Sequence, residues 1–147
     1  MSSSPLEQAT AYANKCVNEA HGDVTRLALP VQTVAVIDTA QGIIDNGGLQ
    51  YFYESDFPGT PPYSFFVEAY RRIGAETAAS CLEASVRMFP FPEPHLYEAK
   101  RLQWLEGVRD DEKHEFVKLS RRMCGDEAVF LKLAEYVEAN RDAFKSV

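Results

Sequence analysis

The sequence is poor in the residue types that carry chemistry by themselves. Its three cysteines, Cys16, Cys81 and Cys124, are odd in number, widely spaced and form no Cys-x-x-Cys pair. That argues for free thiols in a reducing compartment rather than a disulfide framework. The three histidines, His21, His95 and His114, fit neither His-Glu-x-x-His nor any paired-histidine spacing, so no metal ligand set is expected. His95 with Glu98, and Asp110 and Asp111 with His114, are the nearest approaches to one. Gly-x-Ser-x-Gly, phosphate-loop and Gly-x-Gly-x-x-Gly motifs are missing, which removes the commonest nucleophile and nucleotide signatures. No stretch approaches the ~20 consecutive apolar residues that span a bilayer. The start, "MSSSPLEQAT", lacks the basic and apolar regions of a secretory signal. The expectation is a cytoplasmic protein that is not an enzyme, with no catalytic residue, metal or cofactor to name.

Positive charge is also in deficit. Fifteen basic residues face 22 acidic ones, a formal net charge of −7. Direct nucleic-acid binding is disfavoured, because phosphate contacts need a clustered basic surface. An acidic chain can instead attract a basic protein partner, with an attraction that fades as salt rises.

What is present is helical periodicity. A length of 147 residues with 46% hydrophobic residues suits one globular domain. Ser4-Pro5 has the form of an N-cap followed by proline at the first helical position, opening a helix that runs to His21-Gly22. A second helix begins at Pro30, where Val36, Ile37, Ala40, Ile43 and Ile44 share one apolar face. Val31, Val34 and Ala35 extend apolar surface to its other side, so this is the expected central helix. Asp38 is the one carboxylate in it whose burial would be costly, and its spacing puts it on a polar side with Gln41 and Asp45. Phe65, Phe66, Ala69, Tyr70 and Ile73 mark a third helix ending at Gly74. Ala78, Ala79, Leu82, Val86 and Phe89 mark a fourth, stopped by the alternating prolines of "FPFPEP". Tyr97, Trp104, Leu105 and Val108 mark the next; Phe116, Leu119 and Met123 another; Val129, Phe130, Leu133 and Val137 the last. No segment alternates with period two, and no linker divides the chain. The fold class read from this pattern is all-α: a single bundle-like domain over residues 1–147, with seven to eight helices.

The stretch "DNGGLQYFYES" (45–55) stands apart. Asn46-Gly47-Gly48 tolerates the left-handed backbone that closes a helix, so the chain is expected to turn sharply there. Leu49, Phe52 and Tyr53 then fall at i, i+3 and i+4, dropping three large side chains onto the central helix, while Tyr51 points to the rim. Free N–H groups after Gly48 could hold an anion, but no basic residue accompanies the glycines, and the corner reads as structural.

Together with "AYRRIGAETAA" (69–79), this stretch resembles the signature of a bacterial domain-of-unknown-function family that includes the neisserial DNA-mimic protein. The similarity is clearest from Pro30 to Phe89. Leu49 stands where members often have Phe, and Glu54 where Asn is frequent. The resemblance implies an all-helical fold without a known catalytic activity. For the named member it implies a dimer whose acidic surface imitates DNA and occupies a DNA-binding regulator. The shared motif is the corner, not the acidic surface, so mimicry is not carried over residue by residue.

Candidate partner-binding residues therefore come from the charge pattern. Asp45, Glu54 and Asp56 form one acidic group; Glu106, Asp110, Asp111, Glu112 and Glu115 form another, interrupted by Lys113, Lys118, Arg121 and Arg122. Helix-borne carboxylates at i, i+3 and i+4 approach the spacing of phosphates along a strand. The expected function is a non-catalytic interaction protein that occupies a basic DNA-binding partner such as a transcription regulator, without binding nucleic acid or membrane itself. The alternative is a small enzyme or ligand-binding domain with its site near Asp45–Pro62 or Glu93–His114.

Overall fold

A computed structural model describes residues 4–144. Seven α-helices form one all-α domain: α1 (Pro5–Glu19), α2 (Leu29–Glu54), α3 (Tyr63–Arg72), α4 (Glu76–Val86), α5 (Glu98–Val108), α6 (Glu115–Met123) and α7 (Glu127–Ala139). Single 3₁₀ turns lie at Val24–Arg26, Pro94–Leu96 and Arg141–Ala143. No strand occurs among the described residues. The caps are those the sequence chemistry calls for. The Ser4 hydroxyl accepts from the Glu7 N–H at 3.1 Å ahead of Pro5. The helix closes at Glu19, two residues before the expected His21-Gly22, and those two residues take the left-handed turn that follows it. Asp126 caps α7 in the same manner through the Ala128 N–H.

The central position of α2 is as expected. Val34, Ile37, Ala40, Ile44, Leu49 and Phe52 are fully buried, and α2 packs against α1, α3, α5, α6 and α7. Phe66 and Tyr70 of α3 join the same core. Two details differ from the sequence reading. The fourth helix stops at Val86, before the prolines, although Phe89 remains in the core. Gln41 does not lie on a solvated side with Asp38; it is fully buried. Helices α3 and α6 cover that side of α2 and satisfy the amide completely. Gln41 Nε2 donates to the Asp45 carboxylate and to the Met123 carbonyl, each at 2.8 Å, and its Oε1 accepts from the Tyr70 hydroxyl at 2.9 Å. Burying an amide this deeply is tolerable only because every polar group finds a partner. Asp38 sits a turn earlier, half-buried towards α1 and α7.

The corner is where α2 changes direction. Gly48 takes φ +70°, ψ −168° inside an otherwise continuous helix, a backbone region open almost only to glycine. At Gly47 the reason for glycine is different: a Cβ there would run into the Tyr51 ring lying over it. Beyond the kink, Leu49, Phe52 and Tyr53 are buried and Tyr51 is exposed, as their spacing predicts.

Candidate functional site

The Asn-Gly-Gly corner does more than redirect one helix. The Leu49 N–H, freed by the kink, donates to Ser120 Oγ of α6 at 2.8 Å. The anion site that an open helix start could offer is thus filled from within the chain. Tyr53 is fully buried: its hydroxyl bonds Ser85 of α4, and its carbonyl accepts from Arg101 Nε of α5 at 3.0 Å. Burial raises the Tyr53 phenol well above the usual tyrosine range, against a smaller lowering by Ser85. An aromatic chain continues outward: Phe52 touches Phe57, Tyr63 and Phe66, while Tyr53 touches Phe89, which packs at a tilt against Trp104 of α5. Trp104 meets Phe116 of α6 edge-on, at 5.3 Å between centroids. The corner is a clamp for α5 and α6.

Arg101 is the functional-looking residue that sequence reasoning missed. It is a guanidinium only 2% exposed. Besides Tyr53, it donates to the carbonyls of Pro94 and His95 and lies 3.6 Å from Asp56. Those carbonyls belong to the proline-rich turn after α4, so Arg101 ties three segments together. A lone Arg in an otherwise amphipathic stretch gives no sequence signal of burial; its partners are set only by the tertiary fold. Neighbouring Tyr63 is pushed up to about 12 by burial, partly offset by the Arg101 charge. Arg101, Tyr63, His95, Asp56 and Thr60 line a small concavity of about 20 Å³. The Asp45–Pro62 and Glu93–His114 regions, read as alternative ligand sites, thus meet at one place, with room for about one water molecule.

The eight acidic candidates fall into different situations. Asp45 is committed to the fold: one carboxylate oxygen accepts from Gln41 and from the Gly125 N–H at 2.7 Å, holding the α6–α7 turn against α2. Glu54 and Glu106 come together, because Arg109 lies 3.5 Å from the first and 3.4 Å from the second. Arg109, Asp110, Asp111, Glu112 and Arg121 line one shallow, open concavity between α5 and α6. Within it Glu112 pairs with Arg121 at 3.0 Å, and Asp111 caps its own turn through the Lys113 N–H. Asp110 and Glu115 are exposed. Asp56 is 76% exposed beside the buried Arg101. The structure therefore joins Glu54 to the Glu106–Glu112 group and leaves Asp45 underneath. The stretch from Arg109 to His114 is the turn between two helices. His114 caps α6, its Nδ1 accepting the Phe116 N–H at 3.0 Å, which fixes that nitrogen as the unprotonated one.

Among the described residues, no group of three His, Cys, Asp or Glu side chains converges as a metal site would require. None of the described helices is long and apolar enough to cross a membrane. Residues 25–140 match the family profile described as DMP19-like protein. No curated protein and no solved structure gives a significant match to the chain.

Proposed function

The chain belongs to the DMP19-like protein family, and on that premise we propose that it is a non-catalytic interaction protein that occupies the basic surface of a DNA-binding partner, such as a transcription regulator. The acidic face consists of Glu54, Asp56, Glu106, Asp110, Asp111, Glu112 and Glu115, with Asp45 holding the turn beneath it. The observation that carries this reading is the clamp: the corner fixes α5 and α6, which carry Glu106 and Glu115 and hold between them the turn that carries Asp110, Asp111 and Glu112. A surface that stands in for phosphates has to hold its charges at fixed spacing. Here both ends of the turn are anchored on fixed helices, and Asp111 and Glu112 are tied by the Lys113 N–H and Arg121.

Five acidic and five basic side chains lie between Glu106 and Arg122, so this face is patterned rather than uniformly negative. Each exposed charge pair contributes only about 0.2–1 kcal/mol, and useful affinity requires many together or a dimer that doubles the face. Affinity capture with the wild-type chain and with a Asp110→Lys, Asp111→Lys, Glu112→Lys triple variant tests the proposal. A basic DNA-binding protein retained by the first and lost by the second, with unchanged helicity, supports it. Equal capture by both removes the acidic face from the account.

A further inference from the structure

Asp38 is a half-buried carboxylate of α2 that lies outside the acidic face and whose side chain is met by Asn14 of α1. It projects from the middle of α2, where Ile37 and Ala40 beside it are fully buried, into a cleft of about 440 Å³ between α1, α2 and α7. Leu6 and Ala11 of α1 and Phe130 and Leu133 of α7 form apolar walls. The cleft is wide and open to solvent, a shape suited to one side chain of a partner rather than to an enclosed small molecule. Burial raises the Asp38 pKa, and the only group opposing the rise is the neutral side chain of Asn14. The other charged group facing the cleft is Glu7, again acidic; α7 contributes none, and no basic side chain lines it among the described residues. Among the other half-buried carboxylates, Glu54 has Arg109 and Glu83 has Arg71 and Arg87, while Asp45 and Asp126 are met by backbone N–H groups of Gly125 and Ala128. Among the described residues Asp38 has neither a cation nor a backbone N–H against it, only the neutral Asn14.

We propose that this cleft receives an arginine side chain from a protein partner, its guanidinium on Asp38, its plane against the Phe130 ring and its stem along Leu6 and Leu133. Arginine fits better than lysine for a physical reason. A guanidinium is weakly hydrated, forks onto a carboxylate and stacks on an aromatic face, whereas an ammonium gives up more hydration on entering an apolar cleft. The site lies between α1, α7 and the middle of α2, so it is separate from the acidic face around the α5–α6 turn and stands or falls by itself.

The test uses a capped arginine-containing pentapeptide and its citrulline counterpart, which is close in shape but uncharged. Binding is followed by NMR through the Asn14 side-chain amide and the Phe130 ring. The expected result is saturable shifts of both signals with the arginine peptide, weakened at least tenfold for the citrulline peptide and for the Asp38→Asn variant. Equal binding of the citrulline peptide overturns the proposal, because the cleft would then be merely apolar. Shifts confined to residues 106–115 overturn it as well, while leaving the acidic-face reading in place.

Discussion

Replacing Gly48 with alanine should cost the protein a substantial part of its stability, for two separable reasons. The first is conformational. At φ +70°, ψ −168° a residue with a side chain is strained by about 1–3 kcal/mol. The second is steric and local to α6. A Cβ at Gly48 would overlap Ser120 Oγ, the atom that accepts the Leu49 N–H. Pushing that hydroxyl away leaves a part-buried N–H unsatisfied, worth about another 1–3 kcal/mol. The sum, about 2–6 kcal/mol, corresponds to a fall in Tm of roughly 4–24 °C for a chain of this size. Thermal unfolding followed by circular dichroism reads the total, and a double-mutant cycle with Ser120→Ala separates the parts. Ser120→Ala alone loses the hydrogen bond but opens space for the new methyl, so the double variant should be less destabilised than the two singles added. An unchanged Tm for Gly48→Ala would refute the conformational argument. Strict additivity would refute the proposed coupling between the corner and α6.

Three further outcomes follow from buried polar groups. Arg101→Met should destabilise by about 3–5 kcal/mol in denaturant titration, because three carbonyls, of Tyr53, Pro94 and His95, lose their donor at once; a loss below about 1 kcal/mol would mean that water replaces the guanidinium. In an ultraviolet alkaline titration, Tyr53 and Tyr70 should stay un-ionised until the protein unfolds, since burial raises both, and Tyr63 should titrate near 12; all seven tyrosines titrating together would contradict the packing around the corner. Asp38→Asn should stabilise the protein at neutral pH, because burial raises the folded-state pKa of Asp38 and its ionised form is the disfavoured one. The gain should shrink as pH falls through that raised pKa, and vanish below the unfolded value, where Asp38 is neutral in both states; a gain independent of pH would point to packing instead.

Much of this architecture was legible in the sequence because it rests on local rules. Val36, Ile37, Ala40 and Ile44 announce their face by spacing, and Gly48 with Leu49, Phe52 and Tyr53 announces a kink followed by buried aromatics. The first helix could be bounded by Ser4-Pro5 and His21-Gly22 for the same reason. What stayed hidden depends on partners distant along the chain. Gln41 looks like a surface residue until Tyr70 and Met123 close over it. Asp45 looks like a free acid until the Gly125 amide is placed against it. Ser120 and Arg101 have no local signature at all, yet they fix α6 and α5 to the corner. The acidic candidates were legible as charges, whereas the joining of Glu54 to Glu106 through Arg109 required the fold.

Binding of a captured DNA-binding partner, measured against salt and against competing duplex DNA, tests the central claim most directly. If the face around the α5–α6 turn presents carboxylates in place of phosphates, the dissociation constant should rise steeply with salt, because screening shortens the reach of exposed charges. Duplex DNA should then displace the chain from its partner stoichiometrically. A complex that keeps its affinity at ~1 M salt, where the screening length is only about 3 Å, and that binds DNA and this chain together would contradict the account.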